Sequence, residues 1–292
     1  MPKTIVAVGE ALWDVFPDQR RPGGAPCNVA FHAARLGDRG TIVTRVGADA
    51  LGVELVAFLA GQGVDTSYVQ HDATRPTGTV SVSLASADPA FAITEDVAWD
   101  HLVAEPGARA LARTADAICL GSLAQRGAPS REAIQRLLAE ARGRALIVFD
   151  VNLRRPFVDP GVIDATLRAA DVVKMNESEV ASVETLLERP SIITWLLEET
   201  DVRAVCVTRG PDGASITTRR ETVSASGVEV DTSRGDTVGA GDAFTAAMAH
   251  QFVHRATLQH VVDAANRYAA VIASKRGAMP ALSREELAAI GW

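Results

Sequence analysis

Residues 236–244 read DTVGAGDAF, two glycines and an alanine crowded in front of Asp242 and followed by an apolar run. Two kinds of chemistry fit such a segment. As a plain helix start, Asp and Thr would cap, glycine would permit the turn, and an acidic first turn would suit the helix dipole. As an anion hole, the N–H groups of Gly239, Ala240 and Gly241 would point out of the helix toward a phosphate, because glycine lets backbone approach closely. Asp242 would then stand where a substrate hydroxyl gives up its proton. This segment alone leaves both readings open.

A second candidate lies near the other end of the chain, in RPGGAPCNVAFHAARLG, residues 21–37. Gly23 and Gly24 make a tight backbone, and Asn28 opens a helix, either as a cap or with its amide turned to whatever the loop contacts. His250 and His254 are spaced i, i+4, which suits a metal ligand pair. No Glu accompanies them in the H-E-x-x-H form, and the pattern reads as a polar helix face. No G-x-x-x-x-G-K-[ST] occurs, and no G-x-G-x-x-G follows the first strand, so neither a Walker ATPase nor a dinucleotide oxidoreductase has its fingerprint.

The elements that must position these residues follow from apolar runs. Segments 5–8, 41–46, 117–120, 146–150, 172–175 and 204–208 read as buried strands, with helical patterns at 29–36, 51–62 and, capped by Ser130, up to 142. Such alternation predicts right-handed crossovers and a mostly parallel sheet covered on both faces. Segments 10–22 and 67–99 break the pattern. The latter holds β-prone stretches at 77–84 and 90–94 around a turn at SADP, which predicts a small separate sheet. The last third is helical, at 239–253, 258–275 and 283–290. In open α/β sheets ligands lie beyond the carboxyl ends of the strands. Polar residues gather there: GE after the first strand, DVNLR after the fourth, NESE after the fifth and TRGPDG after the sixth. That shared placement favours the anion hole.

Composition excludes several classes. A chain of 292 residues with 47% hydrophobic content and a formal charge of -7 is a compact globular protein, one large domain in size, without a nucleic-acid surface. The three cysteines lie far apart and form no C-x-x-C, which suits a reducing cytoplasm. The N-terminal residues form no secretory signal and no run reaches membrane-spanning length, so a cytoplasmic protein without membrane partner is expected.

With both glycine motifs in place, the chain resembles the ribokinase-like (phosphofructokinase-B type) carbohydrate kinases nearly end to end. Its Gly-Gly-x-x-x-Asn loop matches their N-terminal signature, and D-T-x-G-A-G-D-x-F matches the C-terminal one. GGAPCN places it nearest the fructokinase branch. The resemblance implies a three-layer α/β/α sandwich, a single domain over 1–292, and a β lid formed by about 10–22 and 67–99. It implies ATP-dependent phosphorylation of a sugar hydroxyl, fructose first. Ribose, a 2-keto-3-deoxy sugar acid, a nucleoside, or a catalytically silent sugar- or nucleotide-binding regulator are the alternatives.

By the same resemblance Asp242 is the catalytic base, and Gly239, Ala240 and Gly241 are the anion hole. Arg154 faces the transferring phosphate, and Asp14, Gly23, Gly24 and Asn28 bind the sugar. Asn176, Thr208, Gly210, Gly213 and Asn266 bind the nucleotide. Glu179 serves Mg²⁺ through water, and Asp236 is the candidate for a monovalent cation such as K⁺. Ala281 stands where relatives carry a serine, so K⁺ activation is expected to be weak. Ala25 and Pro26 replace the lysine usual after the two glycines in ribokinases. A homodimer paired through the lid is a candidate assembly.

Five further residues keep two readings. Asp150 and Asn152 brace a strand end or serve the site, and Glu10 is such a residue or a solvent-facing loop carboxylate. Trp13 and Trp99 are packing residues or sugar platforms; packing is the aromatic default.

Overall fold

The computed structural model describes residues 1–83, 90–233 and 235–292. In chain order its strands are β1 (Thr4–Val8), β2 (Leu12–Val15), β3 (Arg20–Gly23), β4 (Arg39–Gly47), β5 (Asp65–Asp72), β6 (Gly78–Ser83), β7 (Ala90–Ile93), β8 (Ala117–Leu120), β9 (Leu146–Asp150), β10 (Val172–Asn176), β11 (Ala204–Thr208), β12 (Ala214–Thr217) and β13 (Thr222–Ala225). The helices are α1 (Ala25–Arg35), α2 (Ala50–Gly61), α3 (Pro106–Thr114), α4 (Ala128–Ala141), α5 (Pro160–Ala169), α6 (Glu177–Leu186), α7 (Ile192–Glu199), α8 (Ala240–Val253), α9 (Leu258–Ala273) and α10 (Arg284–Ala289).

Nine strands form the main sheet in the order β13-β12-β11-β10-β9-β8-β1-β4-β5. All neighbours from β11 to β5 run parallel, and β12 and β13 close one edge antiparallel. Alternate residues of each strand feed two separate cores, as the period of two demands. Val6, Val8, Ile147 and Phe149 join Leu111, Ile134 and Leu167 of α3, α4 and α5 on one face. Ile5, Ala7 and Val148 join Phe31, Leu55, Met248 and Tyr268 of α1, α2, α8 and α9 on the other. The three-layer sandwich expected from the alternation is therefore present. Among the described residues no helix is long and apolar enough to cross a membrane.

A second sheet of four strands, β3-β2-β6-β7, stands apart from the first. It is mixed: β2 pairs antiparallel with β3 but parallel with β6. The lid thus uses 12–15, 20–23, 78–83 and 90–93. Residues 65–72, assigned to the lid from 67 onward, instead form β5, the edge of the main sheet. Their alternating polar pattern is that of an edge strand with one open side. Leu84 and the SADP turn at 86–89 lie outside the described residues.

Two local expectations change. Asn28 does not open its helix: α1 starts at Ala25, and the Asn28 N–H bonds Gly24 O at 3.0 Å. Ser130 is no cap either, since α4 begins two residues earlier behind Gly127. Its buried hydroxyl accepts from Leu102 N and donates to Trp99 O. Trp13 and Trp99 are both buried packing residues, 4% and 1% exposed. Gly24 is the position where glycine is required: φ is 101°, and a Cβ would lie 2.4 Å from Glu10 O. This close approach presses the first βα loop against the start of α1.

Candidate active site

The start of α8 is the centre of the arrangement. Gly239 takes the left-handed conformation at its N-cap, φ 78°. A side chain there would meet Ala278 Cβ at 2.5 Å. Buried His32 anchors that support, one ring nitrogen on Tyr268 Oη at 3.0 Å and the other on Ala278 O at 2.9 Å. Burial lowers the His32 pKa to about 3, so the ring is a neutral brace. The first N–H groups of a helix have no partner within it. Here Ala240 N–H makes only a long turn contact, 3.3 Å, to Thr237 O.

These N–H groups face a cleft of about 1190 Å³. Ala240 and Gly241 line it together with Asn176, Thr208, Gly210, Gly213 and Asn266, so the structure gathers all five residues assigned to a nucleotide along one wall system. Thr208 and Asn176 are register neighbours on β11 and β10. Asn266, on α9, donates to Ser226 O at 2.7 Å and holds the loop that closes the cleft.

On the other side of the α8 start lies a group of carboxylates. Asn28 Nδ2 donates to Asp242 Oδ2 at 2.6 Å, joining the first turns of α1 and α8. Burial, then the charge of Asp150, raises the Asp242 pKa to about 6, against the pull of Asn28, Lys174 and Arg154. Glu10 is 3% exposed, which rules out the solvent-facing reading. Burial lifts it to about 7, with Asp242 adding and Arg154 opposing. Asp14, on lid strand β2, is raised to about 6 by burial, opposed by Arg154 and Arg21. Gly23 faces it across β3, where a Cβ would lie 2.6 Å from Asp14 Oδ2. The charge of Arg154 opposes the rise at all three carboxyls.

Glu179 and Asn176 form a capping box at the start of α6. Asn176 Oδ1 accepts from Glu179 N at 2.9 Å, and Glu179 Oε2 accepts from Asn176 N at 2.8 Å. Glu179 Oε1 also accepts from Leu153 N at 2.9 Å. The carboxylate therefore holds the loop from which Arg154 projects. Asp236 bonds Gly277 N at 3.1 Å and pairs with Arg21 Nη1 of the lid at 3.2 Å.

Against this geometry the comparisons are specific. The family model described as pfkB family carbohydrate kinase matches residues 6–285. The chain belongs to the pfkB family of carbohydrate kinases. An uncharacterised sugar kinase of Pyrococcus horikoshii is 31% identical over 294 residues, covering 97% of this chain and 91% of the relative. Its crystal structure in complex with ATP superposes with a TM-score of 0.82 at 28% identity, over 97% of this chain and 96% of the other. A fructokinase of Escherichia coli is 29% identical over 313 residues, 98% of this chain and 99% of the relative. The fold is shared with a fructokinase of Xylella fastidiosa crystallised with ATP, TM-score 0.89 at 23% identity, covering 99% and 98% of the two chains. This pfkB-family enzyme is therefore an ATP-dependent carbohydrate kinase.

The kinase carries a group that motif reading passed over. Lys174 sits inside the apolar run of β10, beside Asp150 on β9. Its Nζ donates to Asp150 Oδ2 at 2.8 Å, and Thr245 Oγ1 of α8 donates to the same oxygen at 2.7 Å. Burial works against the ammonium, but Asp150, Asp242 and Glu179 hold its pKa above the ordinary lysine value. A Cβ on Gly241 would lie 3.3 Å from Nζ, so this cation underlies the start of α8. Asp150 is thus more than a strand brace. The signal was a lysine in a strand otherwise buried, a place lysine occupies only when paired.

Lys174→Met leaves Asp150 buried and unpaired, so a loss of about 3–5 kcal/mol is expected in urea unfolding. Lys174→Met with Asp150→Asn should recover at least about half of it, because no buried charge then remains. A single variant as stable as the wild type would contradict the pairing.

Proposed function

We propose that this kinase phosphorylates fructose, with Asp242 as the base that takes the proton of the accepting hydroxyl. The observation that carries the reading is the position of Asp242. It stands between a cleft lined by the nucleotide residues and a cluster of polar groups on α1, the first βα loop and the lid. Two buried acceptors there, Glu10 Oε2 and Asn28 Oδ1, have no hydrogen-bond partner among the described residues. Buried polar atoms left so are costly, and sugar hydroxyls would satisfy both.

In this reading the terminal phosphate of ATP lies at the start of α8, where N–H groups and Arg154 receive its charge. The sugar oxygen forms its bond to phosphorus as the bond to the bridging oxygen of ADP breaks. Its proton passes to Asp242, a carboxylate whose raised pKa suits a base. Glu179 fits Mg²⁺ through water. Each of its oxygens accepts one backbone N–H and keeps acceptor capacity for a metal-bound water. Mg²⁺ when bound neutralises polyphosphate charge. Asp236 fits a cation less well, because Arg21 already matches its charge. That agrees with weak K⁺ dependence.

Fructose is favoured by two things. Ala25 and buried Pro26 replace an ammonium by an apolar, stiff edge beside the polar cluster. Curated relatives at 28–29% identity from Escherichia coli and plants are named fructokinases.

At saturating ATP, fructose should exceed ribose in kcat/KM by at least about tenfold, the discrimination expected from one unpaired hydroxyl in a closed site. A preference for ribose would remove fructose from the reading and leave the kinase chemistry standing.

The pH profile tests the base. Protonation of Asp242 blocks proton acceptance, so kcat/KM should fall below about pH 6 and be level above it. The Asn28 hydrogen bond favours the charged carboxylate, so Asn28→Ala should move the acid limb to higher pH. A limb that stays in place or moves down would separate Asp242 from the profile.

A further inference from the structure

The far end of α8 carries a second constellation. Asp38, His250 and His254 bring one ligand atom each to within 4.8 Å of one another. Asp38 Oδ2 is 2.7 Å from His250 Nδ1, and Oδ1 is 3.0 Å from His254 Nε2. The i, i+4 spacing of the two histidines supplies only two donors. The fold adds the third, from a turn far away in sequence.

Both parts are held in place by helix ends. After α1, Gly37 is left-handed, φ 89°, and the N–H groups of Gly37 and Asp38 return to Ala34 O and Ala33 O. After α8, Arg255 is left-handed, φ 61°, and the N–H groups of Arg255 and Ala256 return to Phe252 O and Gln251 O. Each set is a Schellman closure, so two helix C-termini meet at the cluster. Their carbonyl ends favour a cation. The Asp38 side chain is 1% exposed, and Lys3 N–H donates to its Oδ1 at 2.9 Å. Burial opposes its charge, but hydrogen bonds from His250, His254 and Lys3 N–H hold its pKa below the usual carboxylate value. The Trp292 ring packs on His250 with centroids 4.8 Å apart, and the His254 side chain, 33% exposed, borders solvent.

We propose that Asp38, His250 and His254 bind a divalent transition-metal ion of the Zn²⁺ type, with a fourth position open to water. Donors around tetrahedral zinc stand about 3.3 Å apart, given bonds of about 2.0–2.1 Å. The Asp38 contacts of 2.7 and 3.0 Å lengthen to that spacing by small shifts of the rings. Each neutral imidazole then carries its proton on the distal nitrogen. Two nitrogen donors select such ions over the hard Mg²⁺ of a kinase assay, so the two metals do not compete here. Lys3 N–H is the outer hydrogen bond that orients the carboxylate. The bound ion clamps the C-terminal end of the helix whose other end forms the anion hole.

The test uses the whole enzyme, stripped with chelator, in excess Mg²⁺. Zn²⁺ is titrated by calorimetry and thermal unfolding, and Co²⁺ by visible absorption. Expected are one Zn²⁺ per chain at micromolar concentration, a rise in Tm, and the intense visible bands of tetrahedral Co²⁺. His254→Ala, at the surface and away from the reaction, should weaken Zn²⁺ binding at least about tenfold, and Asp38→Asn likewise. Without metal, His254→Ala should stay folded by circular dichroism and lose only the modest stability of one hydrogen bond to Asp38. Equal Zn²⁺ affinity and stoichiometry in wild type and His254→Ala would overturn the proposal, as would no saturable binding by the wild type. Asp38 would then serve only as acceptor for two histidines.

Discussion

In the proposed reaction a carboxylate and a polyphosphate share one helix N-terminus. That requirement governs the rest of the structure, because two negative groups crowded together would repel unless cations and dipoles stand on every side. The start of α8 turns N–H groups toward the cleft. Asn28 Nδ2 donates to Asp242 at 2.6 Å, and Lys174 lies beneath with Asp150 as its partner. Arg154 projects from the loop after β9, which the Leu153 N–H to Glu179 bond holds. Burial, then the charge of Asp150, raises the Asp242 pKa to about 6 against the pull of Asn28, Lys174 and Arg154.

Each cation reaches the site from a different part of the fold. Lys174 comes from the parallel sheet, and Arg154 from the loop after β9. Arg21, paired with Asp236, comes from the lid. The parallel order places the carboxyl ends of β1, β9, β10 and β11 side by side, which is why loops distant in sequence converge. The small sheet contributes Asp14 from β2 and reaches the loop before α8 through the Arg21–Asp236 pair. Closure over the sugar would exclude water, the competing acceptor.

The main sheet was legible because strands buried on both faces must be apolar throughout, as at 117–120 and 204–208. The glycine motifs were legible for the opposite reason: Gly24 and Gly239 occupy conformations that other residues rarely adopt. Short lid strands were harder. RRPG of β3 has charge and proline and no apolar alternation, and its strand exists only through pairing with β2. The polar alternation of 65–72 is common to a lid strand and to an exposed edge of the main sheet, so pattern alone could not choose. Lys174 was hidden in the apolar run of β10, and its meaning depends on Asp150 and Asp242, contacts that spacing does not encode. Asp38 with His250 and His254 is the same case, a long-range meeting of two helix ends.

The most direct test of this account is the turnover of Asp242→Asn with fructose and ATP, set beside calorimetric binding of each. The substitution keeps shape and one hydrogen-bond acceptor but removes proton acceptance. The account predicts near wild-type binding of sugar and nucleotide with kcat lowered by about a hundredfold or more, the range for a positioned base. Most of the turnover surviving would contradict it and place the proton acceptor elsewhere.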